Sequence, residues 1–225
     1  MPASRFSRAL LGAFAAACAF AAPSWASASC GWSGYSYAGV RAKGPANGIA
    51  ARLTAVRTPT VQNGHVAAWV GVGGAGVGPG GSDEWLQVGL SAFPGSPSEV
   101  YYEVAQPGSE PKYVKLLNGV APGASHRVAV LEVSGRRDVW RVWLDGSPAS
   151  KPLYLPGSHG KWAPTATSET WDGGVPSCNA FAYRFEGVNV AATGGAWQPL
   201  VGGHWLQDPG YRVLAKSSGF VARRA

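Results

Sequence analysis

Cysteine, histidine and charge are all scarce in this chain, and each shortage excludes something. Four histidines (His65, His126, His159 and His204) stand far apart and form no i, i+4 pair of the helical zinc type, so neither a metal centre nor any other cofactor is expected. Charged residues make up 14% of the composition. The lysines and arginines are scattered apart from Arg136-Arg137 and Arg223-Arg224, which argues against nucleic acid as a partner. No stretch holds a 3.6-residue apolar period over three turns, so a helical fold is excluded. No segment beyond the N-terminus approaches the roughly 20 apolar residues of a membrane span.

The N-terminus reads as an address. Arg5 and Arg8 precede an apolar run from Ala9 to Ala22, and Ala26-Ser27-Ala28 is a small-x-small cleavage site, which predicts a signal peptide over residues 1–28. The remainder, residues 29–225, is expected to be secreted, either periplasmic or extracellular, as one soluble monomeric domain. Cys18 would suggest a lipoprotein, but the three residues before it lack the usual leucine. Cleavage leaves Cys30 and Cys178, and an even count in an oxidising compartment predicts a single disulfide between them. The alternative is two unpaired small apolar side chains. The leader carries two of the 19 basic residues and none of the 12 acidic ones, so the rest carries +5, which suits loose attraction to anionic polymers.

What the chain has in quantity is glycine (32), proline (17), tryptophan (10) and tyrosine (8), the composition of many strands joined by tight turns. Strands are predicted over 49–56, 66–72, 85–90, 100–105, 113–117, 127–133, 139–144, 181–190 and 211–215. The fold class is therefore all-β, a sandwich or jelly roll of two antiparallel sheets. Alternation assigns the faces. Leu86, Val88 and Leu90 oppose Trp85, Gln87 and Gly89, while Val66, Ala68 and Val70 oppose Ala67, Trp69 and Gly71. Trp69 and Gln87 thus look out from one face if their strands are neighbours. Trp140 and Trp143 fall on opposite faces, so at least one belongs to the core.

Several motifs carry no chemistry. Gly71 to Gly76 matches G-x-G-x-x-G, but Gly78-Pro79-Gly80-Gly81 follows and forbids the helix that a phosphate site needs, so the segment reads as a flexible connection. Gly31 to Tyr35 is not a nucleophile elbow, because the second glycine directly follows the serine. Glu103, Glu132 and Glu169 lie in or near strands, yet no close acidic spacing supports a glycosidase pair.

Five strings, CGWSGYSYAG, AAWVGVGG, EWLQVGL, VYYEVAQP and GVAPGASHRVAV, occur in the order and approximate spacing of the eqolisins, or glutamic peptidases. The chain resembles that family from about Gly31 to Leu144, and more loosely to Val190. The resemblance implies a concanavalin-like β-sandwich and a catalytic pair of one glutamine and one glutamate. It maps the glutamine onto Gln87 of the L-Q-x-G string. The glutamate maps onto Glu169 of SETWD, where the family's usual A-E-W-I string is altered: the tryptophan is displaced by one position. Trp69, Tyr102 and Glu103 are then expected to line a groove for a peptide or unfolded protein. A glutamate can take a proton from water and return it to the leaving amine, and a neutral amide can donate to the oxyanion. The rival reading is a non-catalytic lectin-like or polysaccharide-binding module on the same sandwich, with a glycoside hydrolase or lyase third.

Overall fold

The structure is a computed structural model and describes residues 34–192 and 195–224. Its strands, in chain order, are β1 (Tyr35–Arg41), β2 (Gly48–Ala55), β3 (His65–Gly74), β4 (Glu84–Ala92), β5 (Ser98–Ala105), β6 (Lys112–Val120), β7 (Ser125–Glu132) and β8 (Val139–Leu144). Then come β9 (Ser147–Pro148), β10 (Leu153–Tyr154), β11 (Thr165–Trp171), β12 (Ala182–Ala191), β13 (Trp197–Pro199), β14 (His204–Gln207), β15 (Tyr211–Lys216) and β16 (Gly219–Arg224). They form two antiparallel sheets. One has seven strands in the order β14-β1-β11-β3-β4-β5-β6; the other runs β10-β8-β7-β2-β12-β16-β15, with β9 paired to β8 and β13 to β12. This is the two-sheet sandwich that composition and alternation called for. Among the described residues no helix is long and apolar enough to cross a membrane.

The core lies between the sheets and follows the alternation. Val66, Ala68 and Val70 of β3 and Leu86, Val88 and Leu90 of β4 are fully buried, and they meet Ile49, Leu53, Val130, Val142, Phe181 and Phe185 from the other sheet. Trp140 is the core tryptophan of β8, its indole nitrogen donating to Ser158 Oγ at 2.8 Å, while Trp143 points the other way and is only partly covered.

Seven strands among the described residues lay outside the predicted ones, β1, β9, β10, β11, β13, β14 and β16, and two of these matter for the site. β11, with the sequence TATSETW, has few apolar residues, yet all but Trp171 are buried because β1 and β3 flank it on both edges. β1 carries Tyr35 and Tyr37 on the outer face, opposite Trp171 and Glu169 of β11. The glycine-rich segment after β3 closes into a short 3-10 turn at Pro79–Gly81.

Beneath that turn lies an unusual carboxyl. Glu84 opens β4 on the core face, is fully buried, and neither of its oxygens has a protein hydrogen-bond partner among the described residues. A side chain at Gly78 would stand 2.9 Å from Glu84 Oε2, so the glycine is what lets the loop settle onto the acid. Burial, with a smaller contribution from Asp138, pushes the Glu84 carboxyl up to about 7.

The expected partner of Cys178, Cys30, lies outside the described residues, as does the predicted leader.

Candidate active site

Cross-strand register builds the site. On the outer face of the seven-stranded sheet, Gly39, Thr167, Trp69, Gly89 and Tyr101 stand opposite one another across β1, β11, β3, β4 and β5. Glu169 lies on one side of this row, opposite Ala67, and Gln87 lies on the other side, opposite Gly71. Their backbones are thus four residues apart along β3, about 13 Å by strand rise, and two strands apart across the sheet, about 10 Å more in that direction. Both side chains lean back toward the row between them. Glu169 Oε2 accepts from Trp69 Nε1 at 3.2 Å, and Gln87 Nε2 donates to the Tyr101 hydroxyl at 3.1 Å. Gly89 lies at the middle of the row, where a side chain is impossible: its Cβ would fall 1.9 Å from the Ala68 carbonyl oxygen.

Glu169 is held from β3, and β1 faces it on its other edge. Its Oε1 lies 2.9 Å from His65 Nε2, and Tyr37 stands directly opposite it on β1, its hydroxyl near the same carboxylate. With the Trp69 bond both oxygens are engaged; a carboxylate offers about four acceptor positions, so room remains for water. Burial and the neighbouring Glu169 keep the Tyr37 phenol protonated far above the usual range, so it persists as a donor. Tyr101, also buried and near Glu169, is raised likewise.

Glu169, Gln87, His65, Trp69 and Tyr37 line one cavity of about 600 Å³. Its Gln87 end is polar, with Arg41, Asp83, Thr165 and Glu103; its Glu169 end is aromatic, with Tyr35, Tyr37 and His65. Glu103, directly opposite Gln87 on β5, is raised above the usual carboxylate range by burial and by Glu169, partly offset by His65 and a hydrogen bond from Trp85. Among the described residues no three histidine, cysteine or acidic side chains converge as metal ligands.

Trp69, Gln87, Glu103 and Glu169 therefore share one cavity, and Trp69 and Gln87 stand on adjacent strands of one face. Tyr102 does not join them. It packs in the core with Val100 and Val104, because adjacent residues of a strand face opposite ways and Glu103 already faces the cavity. Tyr101 is on the outer face and accepts from Gln87, but is itself buried and does not line the cavity. His65 and Tyr37 were missed, although extending the alternation of β3 two residues back from Ala67 would have found His65.

No protein-family model matches the sequence, and no curated protein is significantly similar to it. Solved structures do match. Scytalido-glutamic peptidase with a transition state analog inhibitor superposes with a TM-score of 0.57 at 14% identity, over 85% of this chain and 98% of that one. The fold is that of the glutamic peptidases. The same peptidase with a peptide based transition state analog gives 0.56 at 13% identity over the same shares of both chains. SCP-B, a member of the eqolisin family in complex with the tripeptide Ala-Ile-His, gives 0.53 at 15% identity, again over 85% of this chain and 98% of that one.

Proposed function

We propose that the protein is a glutamic-type endopeptidase in which Glu169 is the general base and then the general acid, and Gln87 stabilises the oxyanion. The observation that supports this reading is that the two side chains, on opposite sides of the Trp69–Gly89 row, line one cavity. A water on the remaining lone pair of Glu169 attacks the peptide carbonyl and passes its proton to the carboxylate. As the carbonyl carbon becomes tetrahedral, charge gathers on its oxygen. Gln87 has one N–H engaged with Tyr101 and a second free to donate to that oxygen. The C–N bond then breaks, and Glu169 returns the proton to the leaving amine. His65, Trp69 and Tyr37 hold the carboxylate in place throughout.

The test is digestion of an unfolded protein by the purified chain in mildly acidic buffer, with cut sites read by mass spectrometry. Cleavage is expected to survive chelators and serine and cysteine reagents. Gln87→Ala is expected to lower kcat about 10²-fold, the usual loss for one oxyanion donor. A protein inert on peptides from pH 3 to 8 that binds polysaccharide would instead be the lectin-like module.

Export belongs to the same proposal. The leader is removed after Ala28 and Cys30 pairs with Cys178 in a monomer. Intact mass of the secreted protein, before and after reduction and alkylation, is expected to give a chain starting at Ser29 that takes up alkyl groups on two cysteines only after reduction. A retained leader or prior alkylation would contradict it.

A further inference from the structure

Two residues beyond Glu169 along β11, a row of aromatic rings crosses the sheet. Tyr35, Trp171 and His65 stand directly opposite one another on β1, β11 and β3, and Phe93 follows the Ala92 that pairs with Val66. The rings touch in sequence: Tyr35 stacks on Trp171 at 6.1 Å and 18°, Trp171 meets His65 at 5.8 Å, and His65 meets Phe93 at 5.9 Å. Tyr113 continues the series from β6, 5.9 Å from Phe93. Aromatic pairs of this kind normally close a core. Here they do not, since Tyr35 is 55% exposed, Tyr113 37% and Trp171 36%.

The row is continuous with the candidate active site. Tyr35 and His65 line the same cavity as Glu169, and His65 bonds its carboxylate. At its far end the row offers no free hydroxyl. The Tyr113 hydroxyl is committed to Glu99 at 2.5 Å and Ser91 at 2.6 Å, and Glu99 in turn is paired with Lys115. What is left is a row of ring surfaces. Its distance from Glu169 along the strand, two residues or about 6.6 Å, equals the spacing of side chains on one side of an extended peptide lying parallel to β3.

We propose that the row Tyr35–Trp171–His65–Phe93 is a specificity subsite that takes a flat apolar side chain, aromatic or proline, of a peptide at a fixed position from the cleaved bond. The subsite presupposes the peptidase reading for its place in the reaction, but its ligand can be tested without turnover. Burying one such ring against three or four others favours an aromatic peptide over its alanine counterpart by about tenfold or more.

Two measurements test it. In the first, a peptide library is digested by the wild-type protein and by Tyr35→Ala and Trp171→Ala. Phe, Tyr, Trp or Pro is expected to be enriched at one fixed position, with discrimination over alanine of about tenfold falling toward unity in either variant, mainly through KM. In the second, Glu169→Gln protein is titrated calorimetrically with Ala-Ala-Phe-Ala-Ala-Ala and with hexa-alanine, with and without Trp171→Ala. Tighter binding of the Phe peptide that depends on Trp171 supports the subsite even if the wild type proves inert, in which case only the peptidase reading falls. Cleavage without aromatic or proline preference overturns the subsite and leaves the peptidase standing. Equal binding of both peptides, or displacement of the Phe peptide by a β-glucan oligosaccharide at lower concentration than by free peptide, also overturns it.

Discussion

Glu169→Gln is expected to lower kcat by about 10³-fold while leaving the fold in place, since positioned acid–base groups contribute 10² to 10⁴. The amide keeps the shape of the carboxyl and loses the basic lone pair that takes the proton from water. Its accommodation can be worked out from the partners. Trp69 Nε1 only donates, so the amide oxygen must face it. The amide NH2 then faces His65 Nε2, which accepts in the neutral tautomer. The unfolding free energy is therefore expected to move by no more than about 1–2 kcal/mol, the size of a rearranged hydrogen bond. Rates on an unfolded protein and a denaturant titration of the same preparation check both halves. A variant as fast as the wild type would remove Glu169 from the chemistry and leave Glu103, the cavity carboxyl directly opposite Gln87, as the base to test.

Stability is expected to fall as pH rises from about 4.5 to about 7, and Glu84 to be the main reason. Its carboxyl sits in the core without a hydrogen-bond partner, and its folded-state value is raised to about 7 from an ordinary 4.5. A raised acid binds its proton more tightly in the folded state than in the unfolded one. The resulting stabilisation is complete below the unfolded value and disappears as pH climbs through the folded value. At 1.36 kcal/mol per pH unit the loss amounts to at most about 3 kcal/mol. The neighbouring Asp138 adds to it. Glu84→Gln is expected to be nearly neutral at pH 4.5 and to flatten the decline toward pH 8. Urea midpoints for both proteins across that range decide the matter. Parallel curves would mean that the acid ionises without cost.

How much of this was readable from the sequence depended on whether the signal was local. The period-two pattern of β3 and β4 placed Leu86, Val88, Leu90, Val66 and Val70 in the core and Trp69 and Gln87 on the outer face, because a strand's faces are set by its own residues. The same rule, applied strictly, puts Tyr102 inside and Tyr101 outside; only the proximity of Tyr102 to Glu103 in the string suggested otherwise. β11 gave no hydrophobic signal, since its burial comes from two neighbouring strands and not from its own composition. Glu169 was reached through resemblance alone. The partners that hold it, His65 and Tyr37, and the row formed by Tyr35 and Trp171, depend on register between segments remote in the chain. Pairing of that kind leaves no mark on either segment by itself.

The position of β1 also bears on when the cavity is assembled. β1 is hydrogen-bonded on one edge to β11, which brings Tyr37 opposite Glu169, and on the other to β14, so an early segment waits on two late ones. Such non-local pairing is slow to nucleate and comes late in folding. A chain still emerging from the ribosome, or held unfolded by a chaperone, carries every residue of the cleft and none of its geometry. The cavity is thereby completed only once the two ends of the chain have met.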